Sequence, residues 1–350
     1  MKRVGAITYT QIRRIGVGQG LNSEVYLVHD PQLGERVVAK EIPKSGFVNA
    51  AAYFTEANAM FAASHDNVVK VQTACETPDI IALIMPFYPN GSLTDQIGDR
   101  PLRLSEVQRV AQGVLAGLAH IHQIGYIHFD LKPSNVLFSK RNQPLVADFG
   151  QARIISPTGV VTVPGLYEPT RPPEVINTGV ATILADIYHV GVLLYRALNG
   201  DPFYNAQIPA ESSALERKIE RGKFPDRDRF MPHVPSRLRT LMRKALRVNP
   251  AERFQSATAM ADALSRVDVG LDWLTEPLLL GGFRWRADRV GHCSLIVELQ
   301  NQGLSWDVRA FTQSGNEPRR AKCKKECWKD HLSGRDAFAH LEEVFERLLE

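Results

Sequence analysis

Asp130, Lys132 and Asn135 lie within six residues of one another in the stretch YIHFDLKPSNVLF, and Pro133 stiffens the loop that carries them. A carboxylate there can orient a hydroxyl and accept its proton. The lysine can neutralise charge on a transferring phosphoryl group, and the amide oxygen can ligate Mg2+. Thirteen residues past Asn135, Asp148 ends the apolar run PLVA and is followed by Phe149 and a hinge-like Gly150. It supplies a second hard oxygen ligand for the same metal. Either motif alone also suits a turn residue capping its loop; the two together argue for chemistry on a phosphate.

Three weaker signals lie upstream. GVGQGLNSEV falls between two strand-like runs and opens no helix, so it is neither a Walker loop nor a dinucleotide fingerprint. Gly18 and Gly20 there let backbone approach a phosphate closely, as they would also let a plain β-turn form. Lys40 ends the run RVVAK, where its desolvation is costly unless an anion meets it, although an edge-strand lysine reaching solvent would read the same. Glu56 lies on the following helical segment and can supply that anion, or sit solvated on the helix surface.

Positioning these groups requires two units. From Thr10 to about Tyr88, short β-branched runs (IRRIGVG, EVYLVHD, RVVAKEI, VVKVQTA, IIALIMPF) predict a small sheet. One helix over residues 50–64 interrupts it, with Ala57, Met60 and Phe61 on one face. After PNGSL, helical periodicity over residues 105–122, 183–198, 238–246 and 256–267 predicts a mainly helical unit. Beyond Asp268, SLIVELQ and LSWDVRAFTQ alternate like half-buried strands around a turn with Gly303. GRDAFAHLEEVFERLL then reads as a closing amphipathic helix behind a Ser333–Asp336 capping pair.

Across 350 residues, 44% hydrophobic and 23% charged content supports at least one large core, and a net charge of +4 gives no warrant for a general nucleic-acid binder. The start of the chain lacks an apolar run of signal-peptide length. Residues 187–198 are too short and too interrupted by His189 and Arg196 to span a bilayer, so a cytoplasmic protein with no membrane partner is expected. Four cysteines, unevenly spread, predict reduced thiols rather than a disulfide framework.

Taken in order, these motifs resemble the signature set of the eukaryotic-like serine/threonine protein kinases, from Gly18 to Arg253. The resemblance implies an α+β bilobal protein kinase fold: a β-rich N-lobe with one helix (residues 9–88), a larger helical C-lobe (89–268), and then a small α+β module of unknown role (276–350). It implies ATP and Mg2+ as cofactors, a protein substrate, and phosphoryl transfer to serine or threonine, with autophosphorylation. Asp130, Lys132, Lys40 and Glu56 would be catalytic, and Asn135 and Asp148 would hold the metal. Gly18 and Gly20 would be lid glycines and Val25 the roof over the adenine, with Ala39 and Lys40 in VVAK standing for the family's VAIK. Met85 would be the gatekeeper, with the Pro86 carbonyl and Tyr88 amide at the adenine edge and Leu137 as its floor. Glu174 of RPPEV would pair with Arg253 of NPAERF, and Asp186 would hold the catalytic-loop backbone.

The sequence departs from that pattern in three places. Ser23 stands at the third lid glycine. PGLYEPTRPPE places Gly165 one residue early and Thr170 where the family has tyrosine, which leaves the substrate-docking surface open. Phe129 precedes Asp130, where many kinases carry an arginine that pairs with a phosphorylated activation loop, so control by that switch is not expected. Two other classes remain compatible: an ATP-binding pseudokinase scaffold and a small-molecule phosphotransferase of the aminoglycoside type. In the tail, Arg319, Arg320, Lys322, Lys324, Lys325 and Lys329 surround Trp328, a composition suited to an acidic or phosphate-bearing partner or to a solvated turn. Cys323, Cys327 and His331, with His292 and Cys293 as partners, have a spacing that could ligate zinc, although no paired CxxC knuckles are present.

Overall fold

β-Branched residues alternating across a pleated surface build the first sheet, in a computed structural model that describes residues 7–16, 23–46, 54–163, 168–288, 294–314, 317–320 and 327–349. Its strands are β1 (Thr10–Ile15), β2 (Glu24–Asp30), β3 (Glu35–Pro43), β4 (Thr73–Glu76) and β5 (Ile80–Pro86), all antiparallel in the order β1-β2-β3-β5-β4. Gly18 and Gly20 lie outside the described residues, although the strands flanking them pair in register as far as Ile15 with Val25.

The single helix of this lobe, α1 (Thr55–Ala62), buries Ala57, Ala59 and Met60, with Ala63 just beyond its end. Phe61, expected on that face, is 75% exposed. At about 100° per residue the buried stripe centres on Glu56, Met60 and Ala63, and Phe61 falls about 40° past its edge at Ala57.

The second lobe is mainly helical. α2 (Leu93–Ile97) opens it, with Ser92 and Asp95 forming a capping box. α3 (Leu104–Gln123) follows, and its Gly117 permits close approach to the loop before β4: a Cβ there would lie 2.6 Å from the Asn67 carbonyl oxygen. Short strands then carry the chemistry: β6 (Tyr126–Ile127), β7 (Val136–Phe138), β8 (Pro144–Val146), β9 (Arg153–Ile154) and β10 (Val161–Thr162). α4 (Pro173–Thr178) and β11 (Val180–Ala181) lead into α5 (Leu184–Asn199), which is buried nearly all round, as a helix without a polar face must be. α6 (Asp201–Asn205), α7 (Ser212–Glu220), α8 (Ser236–Ala245) and α9 (Ala257–Ser265) complete the lobe.

The remainder forms a six-stranded antiparallel sheet. β12 (Leu274–Pro277), β13 (Gly282–Ala287), β14 (Ser294–Asn301), β15 (Trp306–Ser314) and β16 (Glu317–Arg320) lie in sequence order, and β17 (Lys329–Leu332) pairs with β15. The β14–β15 hairpin matches the predicted one, with Gly303 in its turn at φ +87°. α10 (Gly334–Leu349) starts where Ser333 accepts from the Asp336 amide at 3.2 Å, and it buries Ala337, Leu341, Val344 and Phe345.

This module shares one apolar core with the C-lobe. Trp273 and Trp285 stack edge-on to Phe345 at centroid distances of 5.0 and 5.3 Å, and the Trp285 indole N–H donates to His233 Nδ1 at 3.0 Å. Arg239 of α8 reaches Glu342 of α10 at 2.5 Å, and Asp272 accepts from the backbone N–H and hydroxyl of Ser105 at the head of α3. Trp328 is half-buried, donates its indole N–H to the Ala310 carbonyl at 2.6 Å and lies under Arg309, so it belongs to the module's own packing. The basic side chains of residues 319–325, together with His292, Cys293 and Cys323, lie outside the description; among the described residues no His, Cys, Asp or Glu cluster could hold a metal. No helix among them is long and apolar enough to cross a membrane.

Candidate active site

The strand β3 positions Lys40 from above. Although 8% exposed, its ammonium is met by two carboxylates, Glu56 Oε1 at 2.7 Å and Asp148 Oδ1 at 2.8 Å. Burial alone would strip its proton, but Asp148 and Glu56 together outweigh that and raise its pKa. For Asp148 burial also opposes ionisation, and the charge and hydrogen bond of Lys40 win, holding its carboxyl down at about 2. Glu56 is raised by burial, which the lysine offsets only in part because Asp148 competes for it. Gly150 lets the chain pass this cluster: a Cβ there would sit 3.2 Å from Asp148 Oδ1, 3.7 Å from Glu56 Oε2 and 3.8 Å from Lys40 Nζ.

The catalytic loop lies between β6 and β7. Lys132 Nζ donates to Asp130 Oδ2 at 2.8 Å, and Asn135 Nδ2 donates to both the Asp130 carbonyl and Oδ2, each at 2.8 Å. The amide nitrogen of Asn135 is thereby committed, which leaves its oxygen as the ligand atom. On Asp148, Oδ1 takes Lys40 and the Gly150 amide (3.1 Å), and Oδ2 has no hydrogen bond among the described residues. One oxygen from each residue suits Mg2+, which binds through one or two protein oxygens plus phosphates and water.

Beneath the loop, Asp186 of α5 is fully buried and accepts from the backbone N–H groups of His128 and Phe129, both at 2.9 Å. Burial opposes its charge, but the hydrogen bond to His122 Nε2 at 2.9 Å and the nearby ring of His189, 3.6 Å away, hold its pKa well below the ordinary carboxylate range. His128 is itself buried, with Nε2 3.1 Å from the Ala147 carbonyl; desolvation lowers its pKa. These three histidines were not singled out from the sequence. Proximity to Asp130 in the chain is a signal for His128 and for His122, in the last turn of α3, but not for His189 of α5, seen in the sequence only as a polar break in an apolar run. The Glu174–Arg253 pair is present as a two-pronged contact at 2.8 and 2.6 Å, with Arg253 fully buried.

In the expected adenine region, Val25 lies opposite Lys40 across β2–β3 and so shares its face, as Val38 and Met85 do across β3–β5. Ala39 does not. It points to the other side of the sheet, fully buried with Val28, Val37 and Ile84 against Ile7 and Tyr9. Successive strand residues alternate faces, so the neighbour of Lys40 cannot share its cleft while Val38, two residues before it, must. Pro86 ends β5 and Tyr88 follows it, half-buried. Leu137 is the partly exposed residue of β7, between fully buried Val136 and Phe138, and it bridges to Ser92.

Residues 9–264 match the protein kinase domain. The chain belongs to the protein kinase family, as a eukaryotic-like serine/threonine kinase domain. It is 30% identical over 271 residues to the probable serine/threonine-protein kinase PknB of Lactococcus lactis, covering 74% of this chain and 42% of that protein. It is 29% identical over 257 residues to serine/threonine-protein kinase PrkC of Bacillus subtilis (71% and 39%), and 30% identical over 279 residues to serine/threonine-protein kinase pkn2 of Myxococcus xanthus (75% and 33%). The chain thus spans well under half the length of these relatives. Its family uses ATP, typically with Mg2+.

Proposed function

We propose that this protein transfers the γ-phosphoryl group of ATP to serine or threonine hydroxyls of protein substrates, itself included, with Mg2+. The observation that carries the reading is the pair of clusters, Lys40 with Glu56 and Asp148 and Asp130 with Lys132 and Asn135, tied together where the Ala147 amide, next to Asp148, donates to the Asn135 carbonyl at 2.9 Å. Asp130 orients the acceptor hydroxyl and takes its proton as the oxygen–phosphorus bond forms and the bond to the leaving ADP breaks. Lys132, hydrogen-bonded to Asp130, neutralises charge on the transferring group, and Lys40, steadied by Glu56, places the ATP phosphates. Asn135 and Asp148 would hold the metal, whose contribution is charge neutralisation between the phosphates.

The adenine would lie between Val25 and Val38 above and Leu137 below, beside Met85, the Pro86 carbonyl and the Tyr88 amide, under a lid containing Gly18 and Gly20. With phenylalanine before Asp130, activity would not depend on an arginine binding a phosphorylated activation segment. Residues 9–88 and 89–268 would act as the two lobes and 276–350, with the strand that opens at Leu274, as an added module. An acidic or phosphate-bearing protein recruited by Lys329 and its basic neighbours fits that module. The reading places the protein in the cytoplasm, without a nucleic-acid or membrane partner.

The test is incubation of the protein with γ-labelled ATP and Mg2+, against itself, generic protein acceptors and aminoglycosides, beside Asp130→Ala and Asp148→Ala. Label on protein serine or threonine from wild type alone supports the reading. Label only on the small molecules, or ATP binding with no transfer, overturns it.

A further inference from the structure

Phe129 is 1% exposed, yet its side chain is not part of the main core. With Ile127 of β6 it lies in a separate apolar cluster that takes residues from both sides of the substrate-docking stretch: Ile155, Val161 and Val163 before it, then Val175 of α4, Ala181 of β11 and Ala185 at the start of α5. We propose that Phe129 is a positioning residue, whose side chain docks the parts of the activation segment on either side of the substrate-docking stretch onto the catalytic loop by apolar contact, and so supports the protein-substrate surface without phosphorylation. The proposal rests on the kinase reading above and says how that reading's activation segment is held.

The backbone fixes where the ring points. Phe129 has φ +63°, a left-handed conformation that a bulky L residue adopts only when its surroundings force it. The force comes from Asp186, whose carboxylate takes the amides of both His128 and Phe129 at 2.9 Å. The carboxylate that presents Asp130 to the cleft therefore also holds the backbone from which the Phe129 ring reaches the segment.

Further along, the segment is tied to the C-lobe by polar contacts, Arg171 to Glu216 at 2.7 Å, the Tyr204 hydroxyl to the Pro169 carbonyl at 3.1 Å and Arg253 to Glu174, whereas the described stretches nearest the catalytic loop carry only short ladders. β10 and β11 exchange a two-residue ladder, Val161 with Ala181 and Thr162 with Val180, extended by the Val163 amide to Gly179 carbonyl bond at 2.9 Å. At the other end, β9 pairs with β6 and the Ile155 amide donates to the Gly125 carbonyl at 2.8 Å. Two-stranded ladders of this length are not stable in water unless an apolar face covers them. Phe129 supplies that cover from the loop side. The first hydroxyl of the segment, Ser156, is already used inside its own turn, donating to the Val160 carbonyl at 2.6 Å and lying 2.8 Å from Thr158 Oγ1. The turn is closed without a phosphate. An arginine at 129 would place a charge among Val163, Val175 and Ala185, where nothing on the cluster can pair with it.

The experiment compares full-length wild type with Phe129→Leu, Phe129→Ala and Phe129→Arg, all phosphatase-treated. Amide hydrogen exchange is followed without nucleotide over residues 153–163 and 179–181, with α5 as internal reference, and KM is measured separately for a protein acceptor and for ATP. In Phe129→Ala and Phe129→Arg, exchange should quicken about tenfold in the segment with α5 unchanged, and the acceptor KM should rise about tenfold while the ATP KM holds. Leucine, which keeps the apolar volume, should restore both. Wild-type exchange with an unaltered acceptor KM in Phe129→Ala overturns the proposal, as does loss of protection spread evenly into α5. A wild type that phosphorylates no protein but shows the expected exchange pattern sinks the kinase reading and leaves the docking standing, because exchange needs no catalysis.

Discussion

Asp130 makes its contacts through one oxygen: Oδ2 takes Lys132 and Asn135, each at 2.8 Å, while no hydrogen bond among the described residues occupies Oδ1. That arrangement orients the carboxylate and leaves an oxygen for the acceptor hydroxyl. Asp130→Asn keeps the shape and removes the base, so kcat should fall by about 100- to 10,000-fold with little change in ATP KM. Lys40→Met removes the cation shared by Glu56 and Asp148 and leaves two carboxylates facing each other; kcat/KM for ATP should fall about 100- to 1,000-fold. At this scale the sequence was most informative, because Asp130, Lys132 and Asn135 are neighbours in the chain and their chemistry follows from type and spacing. The partner of Lys40 was not decidable from spacing: its contact to Asp148 joins residues 108 apart.

At the scale of elements, strand periodicity corrects the one adenine-pocket residue that motif matching misplaced. Ala39 fits VVAK by composition, but face alternation on β3 puts Val38 rather than Ala39 on the face of Lys40, so the adenine contact proposed for this motif falls to Val38. A bulky Val38→Trp should therefore weaken ATP binding, measured by KM, at least about tenfold, whereas Ala39→Trp should act on folding through the opposite face. Arg253 ties the loop after α8 to α4 through Glu174, with further bonds to the carbonyls of Leu184 and Arg247. Arg253→Ala strands Glu174 and those carbonyls, and denaturant unfolding should show a loss of about 3–5 kcal/mol. In the C-lobe, α3, α5, α8 and α9 were legible from their apolar periodicity, whereas α2, α4, α6 and α7, at five to nine residues, were not. Strands β12 and β13 were not, because TEP and FRWRA are short and carry charges on the solvent side.

At the scale of the whole molecule, the added module is part of the C-lobe core rather than a separable appendage, a fact no local pattern encodes. Trp285 and Phe345 are 52 and 112 residues from His233 in the chain, yet all three share one contact. Burial, aided by the nearby Arg239 charge, depresses the His233 pKa from 6.5 to about 3, and its Nδ1 meanwhile accepts from the Trp285 indole N–H. Between those values the unfolded chain binds a proton that the folded one refuses. Stability from this group is therefore complete above pH 6.5 and lost as pH falls toward 3, by up to about 1.4 kcal/mol per unit. His233→Gln keeps an acceptor for Trp285 and cannot titrate, so its melting temperature should fall less steeply than that of wild type from pH 6.5 to 4.

The central claim is protein phosphorylation by a site assembled without a phosphate switch. Its most direct test is the initial rate of Mg2+-ATP-dependent transfer to protein serine or threonine by phosphatase-treated protein carrying Ser156→Ala, Thr158→Ala and Thr162→Ala together, beside Asp130→Asn. The account predicts a rate near that of wild type for the triple variant and almost none for Asp130→Asn. A silent triple variant, or transfer that survives Asp130→Asn, would contradict it.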